Sequence, residues 1–178
     1  MEFRRGVFGW SYVAVLFLVG LATFAVHEFA HWLAGTALGY PMVITPNQVW
    51  SRTPMEAAHA MWVDAAGPLV TCVQAAVGLV LVRGRRSQFG FALLYMAFFM
   101  RLLAAALTPF NPNDEARISA AFGLGPWSLP VLVAAVLFGC VFVASRRLEL
   151  TFRDQLVSYL VASVVVSLVV FGSRAMGG

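Results

Sequence analysis

The sequence predicts an all-α, polytopic bundle of about five transmembrane helices, and three observations support this prediction. Of the 178 residues, 61% are hydrophobic and 11% are charged, a composition typical of a membrane protein. The apolar residues form five long runs separated by short polar segments. All 12 basic residues are arginines, and they cluster between those runs as topology signals, not as a nucleic-acid surface. We therefore expect one multi-pass domain over residues 1–178, embedded in a lipid bilayer of the cell membrane, with no nucleic-acid partner.

The first apolar run covers residues 10–38. As a helix it would rise about 43 Å, which is more than the roughly 30 Å hydrocarbon core of a bilayer. A signal peptide is the rival interpretation, because Arg4 and Arg5 precede the run and Thr23-Phe24-Ala25 resembles a cleavage site. The run is too long for a signal peptide, so we predict a transmembrane helix.

A short β-hairpin lying against the membrane is predicted within residues 39–54, where two β-prone stretches flank the turn pair Pro46-Asn47. Four further spans follow at about residues 59–82, 88–108, 127–144 and 155–172. The last two contain no charged residue. We expect them to be a scaffold for a core formed by about residues 10–124, which contains the motifs described next.

The first span contains His27, Glu28 and His31 in a His-Glu-x-x-His pattern. Residues four apart share one face of a helix, so the two imidazoles can bind one metal ion. Glu28, beside the first ligand, can take a proton from a water on that metal. Two hydrogen-bonded core histidines are the structural alternative. It is disfavoured because an acidic residue in an apolar run costs about 3 kcal/mol and is functional by default.

A third metal ligand is expected, since a catalytic zinc typically has three protein ligands and a water. The first and third spans run in the same direction, so Asp114, just after the third span, lies on the same side as His31. Asp114 could instead belong only to the first turn of a helix capped by Asn113. Other acidic or histidine candidates are Glu115 and, more weakly, Asp64 and His59.

Two interruptions of the helical pattern accompany these residues. Gly67 and Pro68 lie in the second span, where they form either a packing kink or a bend that shapes a site. Asn111 and Asn113 lie in a proline-broken stretch after the third span and are weaker site-shaping candidates. Broken backbone at membrane depth is tolerated only where it is buried in protein or lines a wet cavity.

Together these motifs resemble the site-2 protease family of intramembrane zinc metalloproteases. In that family a His-Glu-x-x-His motif, a Gly-Pro motif and an aspartate lie on successive transmembrane helices. Residues 27–31 match the first motif, and Ala66-Gly67-Pro68 match the core of the second. Residues 113–118 resemble the family's aspartate-glycine-glycine-arginine-isoleucine pattern, with Asp114 in the ligand position. The resemblance covers roughly residues 13–120. Thr71 replaces the family's usual asparagine, and Glu115-Ala116 replace two glycines.

The resemblance implies a zinc metalloprotease that hydrolyses peptide bonds of membrane-embedded protein or peptide substrates. It implies zinc as cofactor, His27, His31 and Asp114 as ligands, and Glu28 as the catalytic base. Two other functions stay open: a catalytically silent metal-binding module that docks a partner, and a membrane zinc hydrolase with a non-protein substrate. The intact Glu28 argues against the silent module, because a purely structural metal site needs no base.

The arginines also predict the orientation of the chain. With the amino terminus inside, eight arginines lie on inner segments and three on outer segments, in agreement with the positive-inside rule. The inner ones are Arg4, Arg5, Arg83, Arg85, Arg86, Arg146, Arg147 and Arg153, and the outer ones are Arg52, Arg117 and Arg174. This count puts the site near the outer face, whereas the family resemblance implies a site nearer the cytosol. We favour the orientation given by the arginine count, with the site near the outer face, because the count comes from this chain.

Overall fold

The computed structural model describes residues 8–175, and within them the chain forms six α-helices and a two-stranded sheet. The helices are α1 (Trp10–Ala37), α2 (Ala57–Arg85), α3 (Gln88–Leu107), α4 (Asp114–Ala121), α5 (Ser128–Leu148) and α6 (Phe152–Ala175). The strands are β1 (Met42–Ile44) and β2 (Val49–Ser51). The predicted helical bundle is thus confirmed, with span ends within four residues of those expected. Arg4 and Arg5 lie outside the described residues.

All of these helices except α4 are long and apolar enough to cross a membrane. Their outer surfaces carry large exposed apolar side chains, including Leu18, Phe29, Val80 and Leu132. Helices suit a bilayer because they satisfy every backbone polar group internally. The chain is therefore a multi-pass membrane protein.

Helix α3 is the centre of the bundle. Its most apolar stretch is 67% buried, compared with 28–39% for the other four spans, and it packs against α1, α2, α5 and α6. Its crossing with α2 is close, because a Cβ atom at Gly78 would lie 2.6 Å from the carbonyl oxygen of Gly90. Gln74 of α2 adds polar contacts at 2.9 Å to Thr23 Oγ1 of α1 and to the Leu93 carbonyl of α3. These contacts tie the three helices that surround the site.

The predicted hairpin is present between α1 and α2. Strands β1 and β2 are antiparallel, with Val43 opposite Trp50. The hairpin packs against α1, and the side chain of Met42 lies directly over Gly35. It therefore lies beside the carboxyl-terminal end of α1. Its association with the membrane remains a prediction.

The short helix α4 begins where the sequence predicted a cap. The Asn113 side chain accepts a hydrogen bond from Ala116 N at 2.9 Å, which satisfies a free amide of the first turn. Its amide nitrogen also donates to the Ala104 carbonyl at 2.6 Å and to Thr108 Oγ1 at 3.0 Å. Asn113 thus joins the start of α4 to the end of α3 and fixes the position of Asp114.

Candidate metal centre

Three potential metal ligands meet between α1 and α4. His27 Nε2 and His31 Nε2 lie 3.2 Å apart, and Asp114 Oδ2 lies 3.2 Å from the first and 3.3 Å from the second. Both histidines are buried, and the Asp114 side chain is 16% exposed. The structure therefore brings together three residues that the sequence separates by up to 87 positions (114 − 27).

The outer nitrogen of each imidazole has a hydrogen-bond acceptor. His31 Nδ1 lies 2.6 Å from the Val63 carbonyl, which can only accept. His27 Nδ1 lies 3.0 Å from Thr71 Oγ1, whose own proton goes to the Gly67 carbonyl. Each Nδ1 therefore carries a proton and donates it, and in the neutral rings each Nε2 presents a lone pair inward.

With both rings neutral, two nitrogen lone pairs and a carboxylate oxygen face one another, an arrangement that a proton or a metal cation between them would stabilise. Burial alone would raise the pKa of Asp114, but hydrogen bonds and positive charge from His27 and His31, when those rings are protonated, hold this pKa well below its usual range. The group therefore contains a carboxylate. Tetrahedral zinc with bonds of 2.0–2.1 Å has ligand atoms about 3.3 Å apart, close to the spacing observed here. The donor set could hold a metal ion.

Gly67 of α2 packs directly on the two imidazoles. A Cβ atom at this position would overlap the His31 ring and come within 2.5 Å of His27 Cε1. Pro68 follows it, also buried within α2. The glycine therefore allows the backbone of α2 to approach the metal group, and Thr71 and Val63 on the same helix orient the rings.

A cavity of about 490 Å³ opens onto the group. Glu28 lines it beside both histidines and is itself buried. The two weaker site-shaping candidates, Asn111 and Asn113, line it as well, and β2 with the preceding turn forms another wall. His31 lies six residues before the end of α1, about 9 Å along the helix axis. Water can therefore reach the group from one end of the bundle.

The other acidic or histidine candidates have different partners. Glu115 pairs with Arg101, with 2.8 Å between Oε1 and Nη1. Asp64 pairs with Arg117, and His59 Nδ1 lies 2.9 Å from the hydroxyl of Tyr40. Among the described residues, the metal group therefore contains Asp114 and neither Glu115, Asp64 nor His59. The role of Asp114 as a ligand remains a prediction.

Two residues of the site were not predicted as functional. Thr71 orients His27, and Arg117 Nη2 lies 2.7 Å from Asp114 Oδ1, which leaves Oδ2 directed at the histidines. A periodicity signal existed for both, because Thr71 is four residues after Gly67 and Arg117 is three after Asp114. Such spacing indicates a shared helix face and does not reveal the partner.

A larger cavity of about 680 Å³ lies elsewhere, between the end of α5 and the start of α6. It is lined by residues such as Phe138, Arg146 and Gln155, and none of the metal-group residues reaches it. The convergence of donor atoms decides among the cavities, so we assign the candidate site to the one of about 490 Å³.

Comparisons of the chain with protein families, with curated proteins and with solved structures find no match. The resemblance to site-2 proteases therefore depends on the three motifs alone.

Proposed function

We propose that this protein is an intramembrane zinc metalloprotease that cleaves membrane-embedded protein or peptide substrates. The observation that carries the proposal is the convergence of His27, His31 and Asp114 at a cavity that Glu28 also lines. A donor set of two histidines and one carboxylate leaves a fourth position for water or substrate, as catalytic zinc sites require. The five apolar spans, two of which (α1 and α2) line this cavity, support a substrate that is itself in the membrane.

Glu28 performs the proton transfers in this proposal. The chemistry supplied by a zinc ion bound at the group would be polarisation of the scissile carbonyl and acidification of a water molecule. The Glu28 carboxylate accepts the proton of the attacking water and passes it to the leaving amine. Glu28 is buried and lines the cavity, so a substrate that fills the cavity would exclude bulk solvent from this proton and keep the transfer local.

The polar walls of the cavity receive the substrate backbone. A peptide bond inside a helix is shielded by its own hydrogen bonds, so a transmembrane substrate must unwind before it is cut. Unwinding exposes amide and carbonyl groups that need new partners. The side-chain amides of Asn47, Gln48 and Asn111 line the cavity and can provide them.

The decisive variant is Glu28→Gln, which keeps the shape of the side chain but cannot accept a proton. General-base catalysis contributes about 10²–10⁴-fold, so we expect at least a roughly hundredfold loss of cleavage with zinc and folding retained. The measurement is turnover of transmembrane peptides in liposomes, with the zinc content of the same preparations. Glu149→Gln, at the opposite end of the bundle, is the matched control and should keep full activity.

Other outcomes would favour the other functions. Equal cleavage by the wild type and Glu28→Gln would remove Glu28 as the base. A zinc-loaded wild type that cleaves no member of a broad peptide panel would favour the docking module or a non-protein substrate. Asp114→Asn should lose zinc and cleavage together.

A further inference from the structure

A buried ion pair lies directly behind the metal group. Arg101 Nη1 donates to Glu115 Oε1 at 2.8 Å, and the two side chains are 4% and 3% exposed. Neither belongs to the described residues that line the site cavity. The pair therefore covers the closed side of the group, where no bulk water screens its charges.

The Arg101 guanidinium also approaches the donor atoms themselves. Its Nη2 lies 3.5 Å from His27 Nε2, and its Nη1 lies 3.8 Å from Asp114 Oδ2. Arginine stays protonated in proteins, so a permanent positive charge adjoins two of the three donors. A divalent cation at the group would be repelled by this charge, strongly so in a buried site of low dielectric.

Glu115 is placed to cancel that repulsion. The remaining polar atoms of the pair, Arg101 Nε and Glu115 Oε2, are buried without a hydrogen-bond partner among the described residues. Each side chain therefore depends on the other for compensation. Glu115 also stands where the site-2 pattern has a glycine, so this position carries an anion that the pattern lacks.

We infer that Glu115 is a positioning residue for the metal centre: it neutralises Arg101, and this allows His27, His31 and Asp114 to bind a divalent cation. The inference rests on the metal site of the proposed function. It differs from a packing role in one respect. Removal of the anion and removal of the cation change metal affinity in opposite directions, whereas loss of packing on either side lowers it.

The test is a charge cycle on the full-length protein in detergent, with zinc affinity measured by competition against a chromophoric chelator. Glu115→Gln leaves an unopposed buried cation, so zinc affinity should fall about 10- to 100-fold. Arg101→Met leaves Glu115 as an unopposed buried anion, so zinc affinity should rise. The double variant should return to within about threefold of the wild type, because both charges are gone.

Circular dichroism of each metal-free variant gives its folded fraction, and each zinc affinity is then expressed per folded protein. Glu149→Gln, which removes the same charge far from the site, and Glu115→Asp, which keeps the charge, should both bind zinc normally. If Glu115→Gln does not fold, the double variant and Glu115→Asp still test the inference, which predicts near-normal affinity in both.

Three results would count against the inference. A loss in Arg101→Met as large as in Glu115→Gln would assign the pair to packing alone. Unchanged zinc affinity in Glu115→Gln would overturn this inference and leave the proposed function standing. Absence of zinc binding by the wild type would overturn both.

Discussion

At the scale of single residues, the metal group depends on which nitrogen of each imidazole faces inward. Thr71 controls this for His27, because its hydroxyl proton is already donated to the Gly67 carbonyl at 3.0 Å and its lone pair accepts from Nδ1. Partners of this kind fix the tautomer and orientation of a ligand histidine. The threonine that departs from the family pattern is thus a contact of the metal group.

Thr71→Val tests this contact by removing the acceptor while nearly keeping the side-chain shape. Without an acceptor the His27 ring is free to change tautomer, and zinc affinity should fall about 10- to 100-fold. Thr71→Ser, which keeps the hydroxyl, is the matched control and should bind zinc as the wild type does. Chelator competition measures both. A valine variant with unchanged affinity would show that the ring is oriented by other contacts.

At the scale of the helices, the site depends on how closely α2 approaches α3. The approach is set by Gly78 and Gly90. A Cβ atom added at either glycine would lie within 2.8 Å of the carbonyl oxygen of the other. Small residues at such crossings allow close backbone packing in membrane proteins. Because α2 also carries Gly67, Thr71 and the Val63 carbonyl, a shift of this helix would displace every contact that orients the imidazoles.

Gly78→Ala should therefore destabilise the bundle, by about 1–3 kcal/mol if it behaves like other overpacked cores. Gly139→Ala is the matched control, since a Cβ atom at that position in α5 meets no atom of residues 8–175 within 4 Å. It should be neutral or stabilising by up to about 1 kcal/mol, because alanine is the better helix former. Thermal or denaturant unfolding in one detergent measures both. Equal effects of the two substitutions would show that the α2–α3 crossing is not tight.

Asp114 and Glu115 show where sequence reasoning stops at this scale. Neighbouring helical residues point about 100° apart, so only one of the two can face the histidines. Which of the two does so depends on the rotation and position of α4. The contact of Asn113 with the Ala104 carbonyl sets that position. The cap itself was predictable from local preference, but its partner on α3 was not, because a tertiary contact leaves no periodic signal in the sequence.

For the whole molecule, the spans were predictable because lipid requires long apolar helices, and the chain shows them as uninterrupted runs. The proximity of His27 and His31 was predictable because residues four apart share one face of a helix. The pairing of Arg101 with Glu115 and of Asp64 with Arg117 was not predictable, because each pair joins different helices. Charged residues in spans indicate a partner without identifying it.

The orientation of the whole bundle is also open to test. The arginine count predicts that the hairpin lies outside. Ser51→Cys, in a background without Cys72 and Cys140, should therefore react with an impermeant thiol reagent added outside. Gly84→Cys, at the other end of α2, should react only from the inner side. The opposite labelling pattern would refute the orientation and favour the one implied by the family resemblance.

The order of the ligands along the chain has a consequence for biosynthesis. His27 and His31 enter the membrane with the first span, and Asp114 is translated 83 residues after His31 (114 − 31). At roughly 5–20 residues per second, the ribosome needs about 4–17 s to cover that distance. During this interval the nascent protein offers two ligands only. Metal capture by the complete donor set must therefore follow insertion of α3, and α5 and α6 join a bundle whose donor atoms are already synthesised.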